Sequence, residues 1–285
     1  MIAVIGANGQ LGSDIIKEFE KTVEIIPLTH NDIEITDPES CRVLKETRPE
    51  IVINCAAYVR VDDCEIYPNQ AFNVNAIGAY NIARVCEEMN AVNIYISTDY
   101  VFDGTKGKPY SENDFPNPIN IYGLSKFAGE IATANYFSKH YIIRVASLYG
   151  VKGARGKGGN FVETIVEKAK KGEELRIVDD IIMSPTYTKE VAMALKKFIK
   201  TMPEFGIYHM VNEGYCSWFE FAKEILTLTN LNAEIKPVKS EEIKRLAKRP
   251  KFSALKNEKI EKLGINMRNW REALRDYLTE KGYLQ

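Results

Sequence analysis

The N-terminal half of the chain alternates short apolar runs with amphipathic helical patterns, and this alternation limits the fold more than any other feature. One helical pattern places Leu11, Ile15 and Phe19 on a single face. Strands that are apolar throughout and are separated by helices indicate a parallel sheet covered on both faces. The sequence therefore predicts a doubly wound, Rossmann-like α/β sheet, with strands at residues 2–5, 23–28, 51–57, 92–97 and 141–146.

The pattern changes after Gly150. Residues 152–159 are basic and rich in glycine, which predicts a mobile loop. Helices are predicted beyond it at residues 161–171, 189–201, 218–228 and 269–281. We predict a dinucleotide-binding domain of residues 1–150, to which residues 184–211 return. Residues 151–183 and 212–285 are predicted to form a smaller C-terminal substrate lobe.

Two local predictions concern the first half. A helix through Val43 and Leu44 is predicted to begin with Asp37 as its N-cap and Pro38 in its first turn. A longer helical pattern runs from Val74 to Met89.

Charge and composition exclude several classes of protein. The formal net charge is −1 and no long basic run occurs, so we expect no nucleic acid and no membrane surface as a partner. No apolar run approaches about 20 residues, and the first residues lack the basic start of a signal peptide, so we expect a cytoplasmic protein. The five cysteines are odd in number and form no C-x-x-C pair, which favours buried thiols over disulfides or zinc.

A glycine-rich turn follows the first predicted strand directly. Gly6 permits a tight turn, Gly9 lets the backbone approach a pyrophosphate, and Gly12 lets the helix lie close to the strand. The N–H groups at the helix start then favour phosphate. The turn predicts a nicotinamide dinucleotide site, with contacts from Gly6, Asn8, Gly9, Gln10, Leu11 and Gly12.

The end of the second predicted strand should meet the adenosine ribose of that dinucleotide. Thr29 and His30 follow it, and neither is a carboxylate that would repel a 2′-phosphate. No arginine demands such a phosphate either, so NADPH and NADH both remain open. Glu34 and Ile35 are predicted to contact the cofactor at this end.

Tyr122 and Lys126 lie four residues apart and share one helix face. A nearby ammonium stabilises a phenolate and lowers its pKa, which makes tyrosine a workable general acid–base. An isolated pair at this spacing would more often be a packed tyrosine and a solvated lysine, so the pair gains meaning only from its surroundings.

Those surroundings resemble the extended short-chain dehydrogenase/reductase superfamily and, within it, the dTDP-4-dehydrorhamnose reductase family. The blocks that carry the resemblance run in order over nearly the whole chain. They are residues 6–12, 54–58, 61–65, 73–76, 97–104, 122–126 with 128–130, 184–187, and Arg249-Pro250 with Ser253 and Leu255.

The resemblance implies reduction of the C4 keto group of dTDP-4-dehydro-L-rhamnose by NADPH or NADH. It assigns catalysis to Tyr122 as proton donor, Lys126 as its modulator and cofactor contact, and Thr98 as the group that polarises the carbonyl. Ala56, Ala57 and Tyr58 should lie along the cofactor. Asn75 either supports Lys126 through a water or is only a helix residue. The implied substrate contacts are Thr98, Asp99, Tyr100, Ser147, Asn160 and Arg249.

The chain departs from the family at the sugar. Ser147 stands where the family's Arg-Thr-Ser-Trp block places a tryptophan beside the sugar. Either Tyr149 or Tyr187 fills this gap, or the pocket is wider and accepts related 4-keto-6-deoxy sugars.

The family resemblance also bears on the oligomeric state and on the acidic residues of the chain. Some members dimerise around a divalent ion, which allows a homodimer here. Asp14 lies where one such ligand would be, but a lone carboxylate on a helix is expected to be solvated, and we predict no metal. Asp62, Asp63 and Glu65 are expected to form a solvated acidic turn.

Two other functions remain open from the sequence. One is an epimerase or dehydratase acting on a nucleotide sugar. Dehydratases carry Asp-Glu after the threonine, whereas Asp99-Tyr100 stands here. The other is a regulatory subunit that binds NADP without catalysis, against which the intact Thr98, Tyr122 and Lys126 argue.

Overall fold

A six-stranded parallel sheet forms the centre of the molecule in the computed structural model, which describes residues 1–153 and 159–284. Its strands lie in the order β2-β1-β3-β4-β5-β10. Three two-stranded pairs accompany it: β6 with β9, β7 with β12, and β8 with β11. The strands are β1 Ile2–Ile5, β2 Ile25–Leu28, β3 Ile51–Asn54, β4 Val92–Thr98, β5 His140–Val145, β6 Leu148–Tyr149, β7 Leu175–Val178, β8 Ile182–Met183, β9 Thr186–Tyr187, β10 Gly206–His209, β11 Cys216–Ser217 and β12 Ile235–Val238.

Helices cover both faces of the central sheet. They are α1 Gln10–Phe19, α2 Val43–Thr47, α3 Val61–Ile66, α4 Pro68–Phe72, α5 Gly78–Met89, α6 Ile121–Tyr136, α7 Phe161–Lys170, α8 Thr188–Thr201, α9 Trp218–Thr229, α10 Glu258–Lys262 and α11 Trp270–Glu280. A π-helical turn at Asn73–Ile77 joins α4 to α5. The predicted doubly wound fold is thus confirmed. Residues 154–158 of the predicted mobile loop lie outside the described residues.

The predicted N-cap at Asp37 is wrong. Glu39 holds the cap position of a 3-10 turn at Ser40–Arg42, which leads into α2. The Asp37 carboxylate accepts the Glu39 N–H at 2.9 Å. An aspartate that bonds two residues ahead closes a local turn, and the helical turn begins only after it.

Two apolar cores hold the sheet between its helices. One core packs Ile15, Val191 and Phe198 from α1 and α8 against strand residues such as Val4 and Ile94. The other packs Ala3 and Val52 against the opposite helices; its further buried members are Ile5, Leu28, Ile33, Ile35, Cys41, Leu44, Ile82, Val85 and Cys86. Because both faces are covered, the strands are apolar throughout rather than alternating.

The C-terminal lobe has its own core, built on α7, α9 and α11 and rich in aromatic rings. Tyr149 and Tyr187 stack inside it with ring centroids 5.6 Å apart, beside Phe221, Trp270 and Tyr277. Part of the C-terminal segment also contacts the central sheet. Ile260, Ile265 and Met267 pack into the first core of the central sheet, so the chain returns to that sheet a second time.

The two parts of the molecule meet in a cluster of charged side chains. Lys17 on α1 and Lys189 on α8 each donate to the Glu280 carboxylate of α11 at 2.7 Å, and the Tyr187 hydroxyl donates at 2.9 Å. Asp14 lies nearby and is buried, so its expected solvation is wrong. It accepts the Thr188 hydroxyl, and burial raises the pKa of its carboxyl.

Among the residues that the structure describes, no helix is both long enough and apolar enough to cross a membrane. The five cysteines all lie in the described part of the chain and form no disulfide there, and all but the partly buried Cys55 are buried.

Candidate active site

A cavity of about 610 Å³ opens at the carboxyl ends of the central strands. It lies where the strand order reverses, because β1 is flanked by β2 on one side and β3 on the other. Ligands of doubly wound sheets bind at this switch point. The central sheet, α6 and the C-terminal lobe all contribute residues to the walls.

The glycine turn forms the floor at one end. Gly6 adopts φ +77°, a left-handed conformation that glycine adopts without strain, and its N–H donates to Leu28 O at 2.9 Å. A Cβ at Gly12 would overlap the Gly6 carbonyl, so Gly12 lies beneath the turn rather than in the cavity wall. Gly9 is the N-cap residue before α1 and has no side chain to occupy the helix N-terminus. The predicted residues that line the cavity here are Gly6, Asn8, Gly9, Gln10 and Leu11.

The rim after β2 carries both polar and apolar side chains, and Ile33 is one of the apolar ones. Thr29, His30, Glu34 and Ile35 line it. The Thr29 N–H and hydroxyl donate to Asp32 at 2.8 and 2.7 Å, which fixes the start of the loop. Burial works against ionisation of Glu34, but hydrogen bonds from the N–H and hydroxyl of Thr36 outweigh it and lower the pKa of this carboxyl.

Ala56 and Ala57 line the cavity after β3, whereas Tyr58 and Asn75 do not. The Asn75 side chain accepts the Tyr58 N–H at 2.8 Å and donates to the Ser125 hydroxyl at 2.9 Å. It also donates to Tyr58 O at 3.1 Å. Asn75 therefore ties the β3 loop to α6, and its amide is engaged by these groups rather than aimed at Lys126.

The reacting end of the cavity is formed by β4 and the first turn of α6. Asn120 caps α6 by accepting the Gly123 N–H at 2.8 Å, and Glu65 accepts the Ile121 N–H at 2.9 Å. Gly123 lies so close to Tyr100 that a Cβ would overlap its carbonyl oxygen. This contact brings Tyr122 beside Thr98, and both line the cavity with Lys126.

Burial dominates the titration of this pair. It raises the pKa of Tyr122, while a hydrogen bond with Thr98 opposes the rise. Lys126 donates to Ile96 O at 2.7 Å and lies over the Tyr95 ring at 3.9 Å from the centroid. Burial lowers the pKa of Lys126 to about 7 against the opposing charge of Glu130. The expected lowering of the Tyr122 pKa is thus wrong for this structure, because removal from water outweighs the hydrogen bond with Thr98 that opposes it.

The remaining predicted substrate residues divide into two groups. Asp99, Tyr100, Ser147 and Asn160 line the cavity. The Asn160 amide is engaged as the cap of α7, accepting the Glu163 N–H and donating to Gly150 O and the Tyr277 hydroxyl.

Arg249 lies outside the cavity lining. Its guanidinium forms a two-pronged pair with Asp62, at 2.6 and 2.7 Å, and the pKa of that carboxyl is held well below its usual range. Asp62 also accepts the N–H groups of Leu246 and Ala247. It is therefore not a solvated acidic residue, as the sequence suggested, but a link from α3 to the C-terminal segment.

Comparison with known proteins agrees with this geometry. The family model described as the RmlD substrate binding domain matches residues 1–282. The chain belongs to this family. Among curated proteins it is 42% identical to the spore coat polysaccharide biosynthesis protein SpsK of Bacillus subtilis, covering 98% of this chain and 97% of that protein.

Relatives named for a reaction are also found in the family. The dTDP-4-dehydrorhamnose reductase of Mycolicibacterium smegmatis is 35% identical, with 96% of this chain and 84% of that protein covered. A crystal structure of the dTDP-4-dehydrorhamnose reductase from Bacillus anthracis in complex with NADP superposes with a TM-score of 0.93 at 39% identity, covering 98% of both chains.

An aromatic wall in this family member comes from a place that the sequence did not indicate. Tyr149 and Tyr187 are both buried in the C-terminal core, so neither fills the gap beside Ser147. Phe161 and Trp218 line the cavity instead, with ring centroids 4.6 Å apart. The signal was present as Ser217 and Glu220, whose capping box begins α9 and fixes Trp218 at its first position.

Proposed function

We propose that the chain reduces the C4 keto group of dTDP-4-dehydro-L-rhamnose to the alcohol of dTDP-L-rhamnose, with NADPH or NADH as reductant. The observation that carries this proposal is the placement of Thr98, Tyr122 and Lys126 in the wall of one cavity that also contains the glycine turn. Membership in a family whose relatives are named as reductases of this compound supports the same conclusion.

The glycine turn fits a dinucleotide. Gly9 brings no side chain to the helix N-terminus, and the N–H groups of the first turn of α1 are available to a pyrophosphate. Gly6, Asn8, Gln10 and Leu11 would hold the phosphates, and Glu34 and Ile35 the adenosine end. Bound NADPH or NADH supplies the hydride.

The chain's own residues then handle the proton. Tyr122 donates its hydroxyl proton to the C4 oxygen as that atom gains negative charge, and Thr98 holds the same oxygen. The raised pKa of Tyr122 keeps the phenol protonated before the reaction, which suits a donor in the direction of reduction. Once Tyr122 has lost its proton, the phenolate favours the charged form of Lys126 one helical turn away.

The two parts of the molecule have different roles in this proposal. We propose that residues 1–150 and 184–211 hold the cofactor, and that residues 151–183 and 212–285 hold the sugar nucleotide. Phe161 and Trp218 would form the apolar wall beside the sugar that the family's tryptophan forms elsewhere.

Steady-state assays test this function. The purified protein would be given dTDP-4-dehydro-L-rhamnose and a panel of related 4-keto-6-deoxy nucleotide sugars, each with NADPH and with NADH. We expect oxidation of the reduced cofactor that depends on the sugar, and a C4 alcohol in the product. Binding of NADPH or NADH without turnover of any 4-keto nucleotide sugar would contradict the proposal.

Two further expectations accompany it. The chain could form a homodimer, which the sedimentation velocity of the purified protein would test. A cytoplasmic location is expected, and fractionation of the source cells would test it. Neither outcome alters the proposed chemistry.

A further inference from the structure

Asp99 is the buried carboxyl closest along the chain to the proposed chemistry, and the mechanism above gives it no task. It follows β4 directly, lines the cavity and is only 2% exposed. Its Oδ1 accepts the Thr98 hydroxyl at 3.0 Å. Its Oδ2 meets no hydrogen-bond partner among the described residues. The Ser253 hydroxyl also acts on this carboxyl, yet a buried carboxylate whose second oxygen lacks a well-formed hydrogen bond is a costly arrangement in the ionised form.

The hydrogen bonds of Thr98 make this carboxyl important. A threonine hydroxyl has one proton to donate and two lone pairs that accept. Thr98 Oγ1 already accepts the Tyr100 N–H at 3.2 Å. When Asp99 is ionised, the single Thr98 proton points to Asp99 and cannot also point to a substrate oxygen. The role that we propose for Thr98 therefore conflicts with an ionised neighbour.

We propose that Asp99 is a positioning residue that works in its protonated form, donating its O–H to Thr98 Oγ1 and so directing the Thr98 proton to the C4 oxygen. The inference rests on the proposed function. In this arrangement Tyr122, which shares a hydrogen bond with Thr98 in this structure, donates to the C4 oxygen instead. Thr98 then accepts from Tyr100 and Asp99 and donates once, so all of its hydrogen-bonding capacity is used. Nothing is transferred from Asp99 to the substrate, because each proton stays on its own oxygen.

The surroundings of Asp99 favour the neutral form. Burial raises its pKa to about 6, and the Ser253 and Thr98 hydroxyls only partly oppose the rise. Tyr122 on α6 and Tyr100 are the titratable groups that face it, and both are phenols. Two cations of the C-terminal segment, Arg245 and Arg249, lie near Tyr100, and their charges lower the pKa of its phenol. A bound sugar would remove more water and raise the Asp99 pKa further.

The test measures the contribution of the Thr98 hydroxyl as a function of pH. The ratio of kcat/KM for the native protein to that for Thr98→Val isolates this hydroxyl, since the titrations of other groups cancel in the ratio. We expect a ratio of about 10²–10³ at low pH, the usual contribution of one oxyanion donor. The ratio should fall as the pH rises through about 6. Thr98→Ser keeps the hydroxyl and should track the native protein.

The variant Asp99→Asn completes a double-mutant cycle with Thr98→Val. Its amide donates to Thr98 at every pH, so the ratio of Asp99→Asn to the double variant Asp99→Asn/Thr98→Val should not change with pH. Glu112→Gln is the matched control, because Glu112 is also buried with a raised pKa but lies outside the cavity lining. That variant should keep the native pH dependence of the ratio.

Two results would overturn the inference. One is a native ratio that does not change with pH, and this result stands even if Asp99→Asn does not fold. The other is a pH-dependent ratio that persists in the Asp99→Asn background. Failure of the proposed function looks different, because the native protein itself would then reduce no 4-keto nucleotide sugar. In that case the carboxyl stretch of Asp99 in infrared difference spectra against Asp99→Asn still tests the inference, which is refuted if no protonated carboxyl is found.

Discussion

The sequence identifies Tyr122 as a candidate proton donor, but it does not reveal the pKa of its phenol in the folded protein. The spacing that puts Tyr122 and Lys126 on one helix face is evident from the sequence alone, but the pKa of a phenol depends on how much water reaches it. In the folded protein burial raises the Tyr122 pKa, and Lys126 is directed to Ile96 O. The sequence indicates the pair, and packing determines which form of each group is present at neutral pH.

Replacing Tyr122 by phenylalanine removes the proposed proton donor and little else. We expect turnover to fall about 10²–10⁴-fold, the usual contribution of general acid–base catalysis, with little change in cofactor affinity. Steady-state kinetics and a cofactor titration would measure both. Tyr136→Phe is a suitable control, since Tyr136 lies exposed on the same helix and should tolerate the change. Near-native turnover in Tyr122→Phe would refute the mechanism.

Trp218 is one of the two side chains that form the aromatic wall of the cavity. Trp218→Ala should weaken selection among 4-keto-6-deoxy sugars by about 1–3 kcal/mol, the scale of an apolar pocket contact. The loss should appear as altered ratios of kcat/KM between sugars, and Trp218→Phe should retain most of the native preference. Unchanged ratios in Trp218→Ala would show that the wall does not face the sugar.

At the scale of elements, Gly9 and Gly12 in the β1–α1 turn have different roles. Gly9 has φ −79° and ψ 177°, an extended conformation that valine also adopts, and a Cβ there would lie 3.1 Å from Gly6 O. A Cβ at Gly12 would lie much closer to the same oxygen and overlap it. Gly9 therefore tolerates a side chain after a small shift, whereas Gly12 does not.

This difference predicts opposite failures of two variants. Gly9→Val should abolish binding of NADPH and NADH while the far-ultraviolet circular dichroism stays native and the melting temperature falls only slightly, since its Cβ contacts Gly6 O at 3.1 Å. Gly12→Ala should instead lower the melting temperature, because the helix must move away from the turn. Cofactor titrations and thermal melts distinguish the two effects, and native cofactor affinity in a folded Gly9→Val would remove the basis of the assignment.

Elements near the sheet were predictable because their signals are local. The five N-terminal strands and the four helices predicted from residue 161 onward lie where apolar periodicity placed them, with ends shifted by a few residues, whereas α10 was not predicted. The aromatic wall was not predictable in this way. Trp218 reaches the cavity only because α9 packs on α7 with Phe161 beneath it, which is a contact between residues far apart in the chain. Arg249 and Asp62 are a second example, separated by 187 positions.

At the scale of the whole molecule, the charged cluster around Glu280 joins three helices. Burial alone would raise the pKa of Glu280, but hydrogen bonds from Lys17, Lys189 and Tyr187 outweigh it and lower the pKa to about 2. A lowered pKa in the folded state means that the ionised carboxylate stabilises the fold above its ordinary pKa. That contribution is lost as the pH falls toward the folded value.

Glu280→Gln should therefore lower the free energy of unfolding at neutral pH by about 1–3 kcal/mol, the scale of charge-assisted hydrogen bonds. The deficit relative to the native protein should shrink as the pH falls from about 4.5 toward 2. Denaturant unfolding at several pH values measures this trend. Glu272→Gln, on the exposed face of the same helix, should change little. A deficit that is constant with pH would show that packing, not charge, is responsible.

The position of the aromatic wall has a consequence for how such an enzyme can change. The proposed catalytic residues are carried by β4, which holds Thr98, and by α6, which holds Tyr122 and Lys126. Phe161 and Trp218 are carried by α7 and α9. Substitutions that reshape the preference for one sugar over another can thus accumulate in the C-terminal lobe without disturbing the atoms that react. Grafting α7 and α9 between relatives would then exchange the choice of sugar as a unit, leaving the reduction itself to the recipient.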